Sequence, residues 1–416
     1  MSKYFLSLCL SILTSAAALA ADLADALQSG TLWTLPQTEL VDKYLNGVMY
    51  RNVDSGTMRL KAAGALTIGE LSPNEIDWIW DEKKEHPASL LIVLYNKGDD
   101  GNIDKKEFNQ RVKDALAALD AVCGVKGKKK NVAAKESGVK LKAWIWEWEN
   151  GAAMLEAHDT GKGKKDYEAE FIRLRMAKDA AGLERGSASD AGSRRELLAN
   201  VKRTEEGDVW IDNIPMIDQG EKGYCLPATV ARIFSYYGMD GVDMHAMASM
   251  CDTVAGGGTT IGGMMEALEK IGSRFHVRVM TMKDKGKKPG PEEIVESYNK
   301  LAKRKGKPAS RGFIGVADRD IDNALSIFDQ EILEESFPVK KAAMKKWFRP
   351  VYKSIDSGIP ILWGIPGHMR LIIGYNEAKG LIYYSDSWGA GHEKKKMSAL
   401  NAYMITLYRG YLRLSK

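Results

Sequence analysis

Residues 218–237 read DQGEKGYCLPATVARIFSYY, so a polar segment with two glycines runs directly into an apolar one. The apolar segment predicts a helix that begins at Cys225, with Pro227 in its first turn, where the missing N–H is harmless. A thiol at the start of a helix feels the positive end of the helix dipole, which favours thiolate over thiol. Six residues earlier, Gln219 carries an amide that could donate a hydrogen bond to a developing oxyanion.

Two motifs far downstream supply the other groups that thiol chemistry requires. His368 lies at the start of one predicted strand, and Asp386 follows the next. Amide cleavage by a thiolate needs a group that protonates the leaving amine and donors that stabilise the oxyanion. We therefore expect His368 to pair with Cys225, and Asp386 to hold the imidazole in the correct tautomer. The amide of Gln219 and the backbone N–H of Cys225 would form the oxyanion hole.

These residues resemble the papain-like cysteine peptidases, most closely the bacterial branch that includes the leader-peptide-processing (double-glycine) peptidases. The likeness rests on Gln219 six residues before Cys225, Gly223-Tyr224-Cys225 at a helix start, His368 after Gly367, and Asp386-Ser387-Trp388-Gly389. The Cys-to-His separation falls in the range of about 130–150 residues expected for such enzymes. Asp386 stands where plant-type papains have Asn, as in the bacterial branch, whereas Leu226 replaces their Trp. The resemblance covers residues 208–416 and implies a papain-like peptidase domain.

Other residues compete for these roles. His392 is a rival base, but it lies in a predicted loop and does not begin a strand. Beyond the predicted signal peptide the chain keeps Cys123, Cys225 and Cys251, too few for a disulfide scaffold, and the odd count leaves at least one free thiol. Cys251 is the rival nucleophile. A Cys123–Cys251 bridge is the alternative to buried, unpaired cysteines.

The N-terminus predicts export. Residues 1–20 combine Lys3, an apolar core at 5–13 and the small-residue triplet Ala18-Leu19-Ala20, the pattern of a secretory signal peptide. We expect cleavage near Ala20 and a periplasmic or secreted protein. A transmembrane helix would need about 20 apolar residues, and serines interrupt this segment. We therefore expect no stable membrane insertion after cleavage.

Composition indicates the kinds of partner. The chain has 60 Lys and Arg against 55 Asp and Glu, a mildly positive balance. Its lysine clusters fall in glycine-bearing stretches typical of solvated loops, at residues 126–130, 285–288 and 303–307. Contact with anionic polymers or membranes is the alternative, and no further feature supports nucleic-acid binding. We expect a protein or peptide substrate, no cofactor and no nucleic-acid partner, while the sequence favours no particular oligomeric state.

The chain divides at residues 181–207, a small, polar, glycine-rich stretch that predicts a linker. The expected architecture is α+β throughout, with a signal peptide at 1–20, a smaller domain at 21–180 and the papain-like domain at 208–416. In the smaller domain, three tryptophans at 144, 146 and 148 share one strand face, and Asn150-Gly151 predicts a type I′ hairpin turn. These features predict an antiparallel meander backed by helices, with the tryptophans in the core or on a sheet face.

One segment of the smaller domain, Asn96–Glu107, nearly matches a calcium-binding EF loop. Asp100 and Gly101 fall at the fifth and sixth loop positions, but Gly98 at the third has no ligand oxygen on its side chain. A strand–turn–helix connection with Asp104 near the helix start explains the same residues. Calcium binding is therefore the alternative interpretation.

Two functions compete with an exported cysteine peptidase. A thiol hydrolase of cell-wall peptides also uses a Cys helix and a His strand, but its third polar residue usually follows the histidine closely, unlike Asp386. A papain-like module that binds peptides without cleaving them is the other. Arg370 favours that module, because it shares a strand face with His368 and could crowd or perturb the imidazole. For the smaller domain we expect the role of an inhibitory prosegment, a substrate-docking module or an attachment domain, and the basic linker makes its proteolytic removal plausible.

Overall fold

The structure is a computed structural model, and it describes residues 21–44, 48–52, 57–61, 66–81, 83, 85–132, 139–161, 166–183, 193–220, 222–239, 243–254, 258–272, 275–282, 288–313, 315–316, 320–339, 341–389 and 391–414. The predicted signal peptide and residues 184–192 of the predicted linker lie outside the described residues. Export and the position of the linker stay predictions. No helix among the described residues is long and apolar enough to cross a membrane.

The N-terminal half forms one large antiparallel sheet with helices against it. Its helices are α1 (Ala24–Gln28), α2 (Gln37–Tyr44), α3 (Lys97–Asp100) and α4 (Lys105–Cys123), with short 3-10 helices at Thr31–Thr34 and Ala181–Leu183. Its strands are β1 (Ala21–Asp22), β2 (Val48–Asn52), β3 (Thr57–Lys61), β4 (Leu66–Thr67), β5 (Glu75–Trp80), β6 (Pro87–Asn96), β7 (Lys128–Lys130), β8 (Lys142–Trp148), β9 (Gly151–Thr160) and β10 (Glu168–Ala177). Eight of them pair in the order β2-β3-β5-β6-β10-β9-β8-β7, and β1 pairs with β4.

The predicted meander corresponds to β8, β9 and β10, which pair antiparallel in that order. The hairpin turn lies one residue earlier than predicted, because Trp148 pairs with Gly151 and leaves Glu149-Asn150 as the two-residue loop. The tryptophans of β8 pack against the hydrophobic core of this half, with Trp146 fully buried. The lysine cluster at 126–130, predicted as a loop, includes the exposed strand β7.

The C-terminal half carries a second antiparallel sheet and most of the helices. Its helices are α5 (Arg194–Ala199), α6 (Cys225–Tyr236), α7 (Met244–Met250), α8 (Ile261–Gly272), α9 (Pro291–Arg304), α10 (Ile321–Ser326), α11 (Gln330–Ser336), α12 (Lys341–Asp356) and α13 (Ala399–Ile405). Its strands are β11 (Val201–Arg203), β12 (Asp208–Ile211), β13 (Val277–Thr281), β14 (Ile361–Ile365), β15 (His368–Asn376), β16 (Leu381–Ser385), β17 (Lys395–Ser398) and β18 (Tyr408–Leu414). The main order is β11-β12-β15-β14-β18-β13, with β16 between β15 and β17.

This mixture of helices and antiparallel sheets is compatible with the predicted α+β class. Within the predicted linker, α5 carries a capping box between Ser193 and Glu196, and β11 pairs with β12. Those described residues therefore form part of the C-terminal sheet region.

The apolar faces of α6 and β15 bring their first residues together. Val230, Ile233 and Phe234 of α6 are buried in the same core cluster as Leu371 and Ile372 of β15. Burial of a large aliphatic or aromatic side chain contributes roughly 1.5–3 kcal/mol each. The core thus holds the start of a helix beside the start of a strand.

Candidate active site

Cys225 is the first residue of α6, as the sequence predicted, and its side chain is partly exposed. Tyr224 occupies the N-cap position without a side-chain capping bond. Because the N–H groups of a first helical turn have no intrahelical partner, that end of α6 offers donors and a positive potential beside the thiol. The Cys225 side chain therefore lies beside the backbone donors of a helix start.

Arg232, two turns along α6, connects the helix to the region around Asp386. Its buried guanidinium donates to the backbone oxygen of Asp386 at 2.8 Å, to Ser385 Oγ at 2.6 Å and to the backbone oxygen of Pro215 at 2.8 Å. A buried charge requires such acceptors, and losing them is costly. These bonds keep the helix that carries Cys225 in register with the end of β16.

His368 and Asp386 form a hydrogen-bonded pair inside the protein. His368 Nε2 lies 2.5 Å from Asp386 Oδ1, and neither side chain is exposed. Burial opposes a charge on the imidazole, but hydrogen bonds and charge interactions with Asp386 and Cys225 outweigh it and raise the pKa of His368 to about 9. The thiol of Cys225 therefore lies next to the ring, and the ring is charged at neutral pH.

Asp386 contacts two further side chains, Arg370 and His392, through its second oxygen. Asp386 Oδ2 lies 3.2 Å from Arg370 Nε and 3.9 Å from His392 Nδ1. Burial alone would raise the pKa of Asp386, but hydrogen bonds from His368 and His392 and the charge of Arg370 hold it well below its ordinary value. Asp386 is therefore an anion, and the rival base His392 contacts the same carboxylate as His368.

The guanidinium of Arg370 pairs with two carboxylates, those of Asp322 and Asp386. Its two terminal nitrogens contact the two oxygens of Asp322 on α10 at 2.9 and 3.2 Å. Its guanidinium also lies 4.7 Å from the ring centre of Tyr384. A planar guanidinium paired in this way keeps a fixed position. A chain of charged groups thus runs from the half-buried Asp322 through the buried Arg370 and Asp386 to His368.

Trp388 covers the imidazole. Its ring stacks on that of His368 at 4.3 Å between centres, with 18° between the planes. A stacked indole excludes water from one face of the ring and so lowers the local dielectric around the His368–Asp386 bond. Trp388 therefore lies over the imidazole that Asp386 binds.

Gln219 is anchored to the residue after Asp386. Its backbone N–H donates to the Ser387 carbonyl at 2.8 Å, and its Oε1 accepts from Ser387 Oγ at 2.7 Å. Its Nε2 donates to the Lys222 carbonyl at 3.3 Å, which leaves a second amide hydrogen for another acceptor. The carbonyl end of the amide is therefore held, and the donor end lies on the side of the segment that leads into Cys225.

Residues 211–411 match the family model Peptidase_C39_2, whose description is the Peptidase_C39 like family. Just under half of the chain is therefore similar to that family. The match supports the predicted papain-like peptidase branch, and it contains Gln219, Cys225, His368 and Asp386. Neither the search of curated proteins nor the search of solved structures found a match.

The other two described cysteines, Cys123 and Cys251, are unsuited to the role of nucleophile. Cys123 and Cys251 are both buried and free, so the alternative bridge between them is absent. Burial raises the pKa of each thiol to about 12. A nucleophile must ionise readily, and only Cys225 among the described cysteines is partly exposed.

The contacts of the EF-like segment leave little for calcium. Asp104 is the N-cap of α4 and accepts from the Glu107 N–H at 2.8 Å, as the strand–turn–helix interpretation requires. Asp99 accepts from Asn96 Nδ2 and Lys222 Nζ, at 2.8 and 2.9 Å. Among the described residues, no group of three or more His, Cys, Asp or Glu side chains is arranged to hold a metal ion.

Sequence reasoning missed three residues that hold the site together. Arg232 reads as an interruption of an apolar helix, and Asp322 belongs to a segment with no motif of its own. Ser387 belongs to the Asp-Ser-Trp-Gly motif, but the motif does not indicate that Ser387 forms two hydrogen bonds with Gln219. The one available signal was a charged residue within the apolar run of α6, since a buried charge implies partners elsewhere in the C39-like domain.

Proposed function

We propose that this protein is an exported cysteine peptidase that hydrolyses peptide bonds. Cys225 is the nucleophile, His368 the general base and acid, Asp386 the group that orients the imidazole, and Gln219 a donor of the oxyanion hole. The observation that carries the proposal is the buried His368 ring, which interacts with Asp386 on one side and with Cys225 at a helix start on the other. Export is supported by the pattern of residues 1–20.

In the first half-reaction, the Cys225 thiolate attacks the carbonyl carbon of the scissile bond. The carbonyl electrons move to oxygen, and the oxyanion accepts hydrogen bonds from Gln219 Nε2 and the backbone N–H of Cys225. The imidazolium of His368 gives its proton to the leaving nitrogen, the C–N bond breaks, and an amine departs. Asp386 keeps the ring in place through Nε2, so that the other nitrogen serves the reaction.

In the second half-reaction, water hydrolyses the thioester. Neutral His368 accepts a proton from water as its oxygen attacks the acyl carbon. The second tetrahedral intermediate uses the same donors and then collapses, releasing a carboxylic acid and the Cys225 thiolate. The regenerated imidazolium–thiolate pair is ready for the next peptide.

The test is hydrolysis of fluorescein-labelled casein by the purified protein in the presence of a reductant. We expect activity in the wild type and in Cys123→Ala, the matched control with a buried thiol in the N-terminal half. Cys225→Ala should lose at least about 10³-fold, as expected when a nucleophile is removed. Equal activity of wild type and Cys225→Ala would exclude the proposed nucleophile.

Two further outcomes decide between the competing functions. Release of peptides from peptidoglycan fragments without casein hydrolysis would identify a cell-wall thiol hydrolase. Alkylation of Cys225 by iodoacetamide, with turnover of neither substrate and with measurable peptide binding, would identify the non-catalytic module. Each outcome would replace the peptidase proposal.

A further inference from the structure

The N-terminal half reaches the segment that enters Cys225. We call residues 219–220 and 222–224 the oxyanion loop. Lys222 of this loop is buried, with only 1% of its side chain exposed, and its ammonium lies 2.8 Å from Glu75 Oε2 and 2.9 Å from Asp99 Oδ2. Glu75 begins β5 and Asp99 belongs to α3, so both carboxylates come from the N-terminal half. The Lys222 ammonium, next to the candidate active site, is thus paired with carboxylates of the N-terminal half.

A second contact lies next to Cys225. The Tyr224 side chain is buried, and Gly98 packs so closely on its ring that a Cβ atom at position 98 would lie 2.7 Å from Tyr224 Cε1. The edge of the same ring meets His245 at 5.8 Å between centres. The residue immediately before the nucleophile is therefore held in a pocket to which the N-terminal half contributes. The EF-like segment supplies this surface.

The backbone of Lys222 transmits these contacts to the proposed chemistry. Its carbonyl oxygen accepts from Gln219 Nε2 at 3.3 Å and from the Tyr224 N–H at 2.7 Å. A shift of Lys222 would therefore move the amide of Gln219 and the peptide that leads to the Cys225 N–H. Oxyanion stabilisation depends on donors that are already in place, and the loss of one donor costs about 10²- to 10³-fold in rate.

We propose that the N-terminal half is a permanent part of the catalytic unit, which holds the oxyanion loop through Lys222, and not a prosegment that is removed on activation. Lys222 is a positioning residue, because it acts through Gln219 and the backbone of the loop. Removal of the N-terminal half would take Glu75 and Asp99 away from a buried ammonium, an expensive loss. This inference deepens the proposed function and rests on it for the kinetic consequence only.

The structural test is hydrogen–deuterium exchange of the full chain, compared between Lys222→Met and a matched control. The control is Lys142→Met, because Lys142 pairs with Asp159 within the N-terminal half and outside the EF-like segment. We expect the backbone amides of residues 219–225 to exchange at least about 10-fold faster in Lys222→Met only, because the loop then opens locally. Unchanged exchange in Lys222→Met, or the same increase in both variants, would overturn the inference.

The kinetic test separates positioning from general instability. In Lys222→Met, we expect kcat on labelled casein to fall about 10- to 100-fold with KM nearly unchanged, since donors used only in the transition state are displaced. Alkylation of Cys225 by iodoacetamide should keep its rate and pH profile, and Lys222→Arg should recover part of kcat. A rise in KM at constant kcat would contradict the positioning role.

Two provisions keep the outcomes distinct. If Lys222→Met does not fold, Asp99→Asn weakens the same pair from the more exposed partner and should give smaller changes in the same direction. If the wild type hydrolyses no casein, the proposed function fails, while the exchange comparison still decides whether the N-terminal half holds the loop.

Discussion

Replacing Asp386 by asparagine should move the upper pH limit of activity downward. The pKa of His368 is about 9 against an ordinary 6.5, which favours the charged ring by roughly 3 kcal/mol at about 1.4 kcal/mol per pH unit. Burial works against this charge, and Asp386 and Cys225 supply the hydrogen bonds and charge that raise the pKa. Because the pKa is raised, the imidazolium is present below pH 9 and is lost as the pH rises through that value.

The assay is kcat/KM on labelled casein between pH 5 and 10, together with the alkylation rate of Cys225. The wild-type profile should fall at high pH with an apparent pKa near 9. Asp386→Asn keeps an acceptor for Nε2 but removes the negative charge, so this limb should move down by about two pH units. Asp322→Asn is the matched control, since Asp322 contacts Arg370 and Tyr384 and should move the limb far less. Identical profiles for wild type and Asp386→Asn would refute the electrostatic argument.

Three further predictions concern the surroundings of the site. Arg370→Met should lower the free energy of unfolding by about 3 kcal/mol or more in urea titrations, because it leaves Asp322 and Asp386 without their shared cation; Arg370→Lys should recover part of it, and no loss in either variant would contradict the pairing. Trp388→Ala should lower casein hydrolysis about 10-fold by admitting water to the His368–Asp386 bond, whereas Trp388→Phe should keep more activity, and equal rates in all three proteins would exclude the shielding role. Burial lowers the pKa of His158 to about 4. As the pH falls, His158 therefore takes up a proton in the unfolded chain before it does so in the folded protein, and the free energy of unfolding should drop between pH 6.5 and 4 by up to about 3 kcal/mol. His158→Gln should reduce this drop in stability, and an unchanged drop would contradict the prediction.

The candidate site was predictable where its chemistry is local in sequence. Cys225 before an apolar helix and His368 at the start of a strand are two separate patterns, and each is contained within a few consecutive residues. Their predicted elements, α6 and β15, begin at those residues in the structure. Motif context therefore identified which side chains meet, although their catalytic roles stay a proposal.

What the sequence did not predict depends on contacts between distant segments. Lys222 pairs with Glu75 at a separation of 147 residues, and Arg370 pairs with Asp322 at 48. Nothing near Lys222 in sequence distinguishes it from the solvated lysines of the loops. The folded chain decides which charges are buried together, and that information lies in tertiary packing, not in local propensity.

Turn geometry was a smaller failure of the same kind. Asn-Gly is the strongest short signal for a type I′ turn, yet Asn150 occupies the second loop position and Gly151 already pairs with Trp148. The side chain and carbonyl of Asn150 instead bond with α1 and the following 3-10 helix, through Gln28 O and Trp33 Nε1. Tertiary contacts thus override the local preference by one residue.

The most direct measurement is the intact mass of the reduced protein after reaction with a thiol-directed peptidyl epoxide, with casein hydrolysis followed in parallel. The account predicts a single adduct, mapped to Cys225, whose formation parallels the loss of hydrolysis and is slowed by His368→Gln. An adduct on another cysteine that abolishes activity, or full hydrolysis by protein completely modified at Cys225, would contradict it.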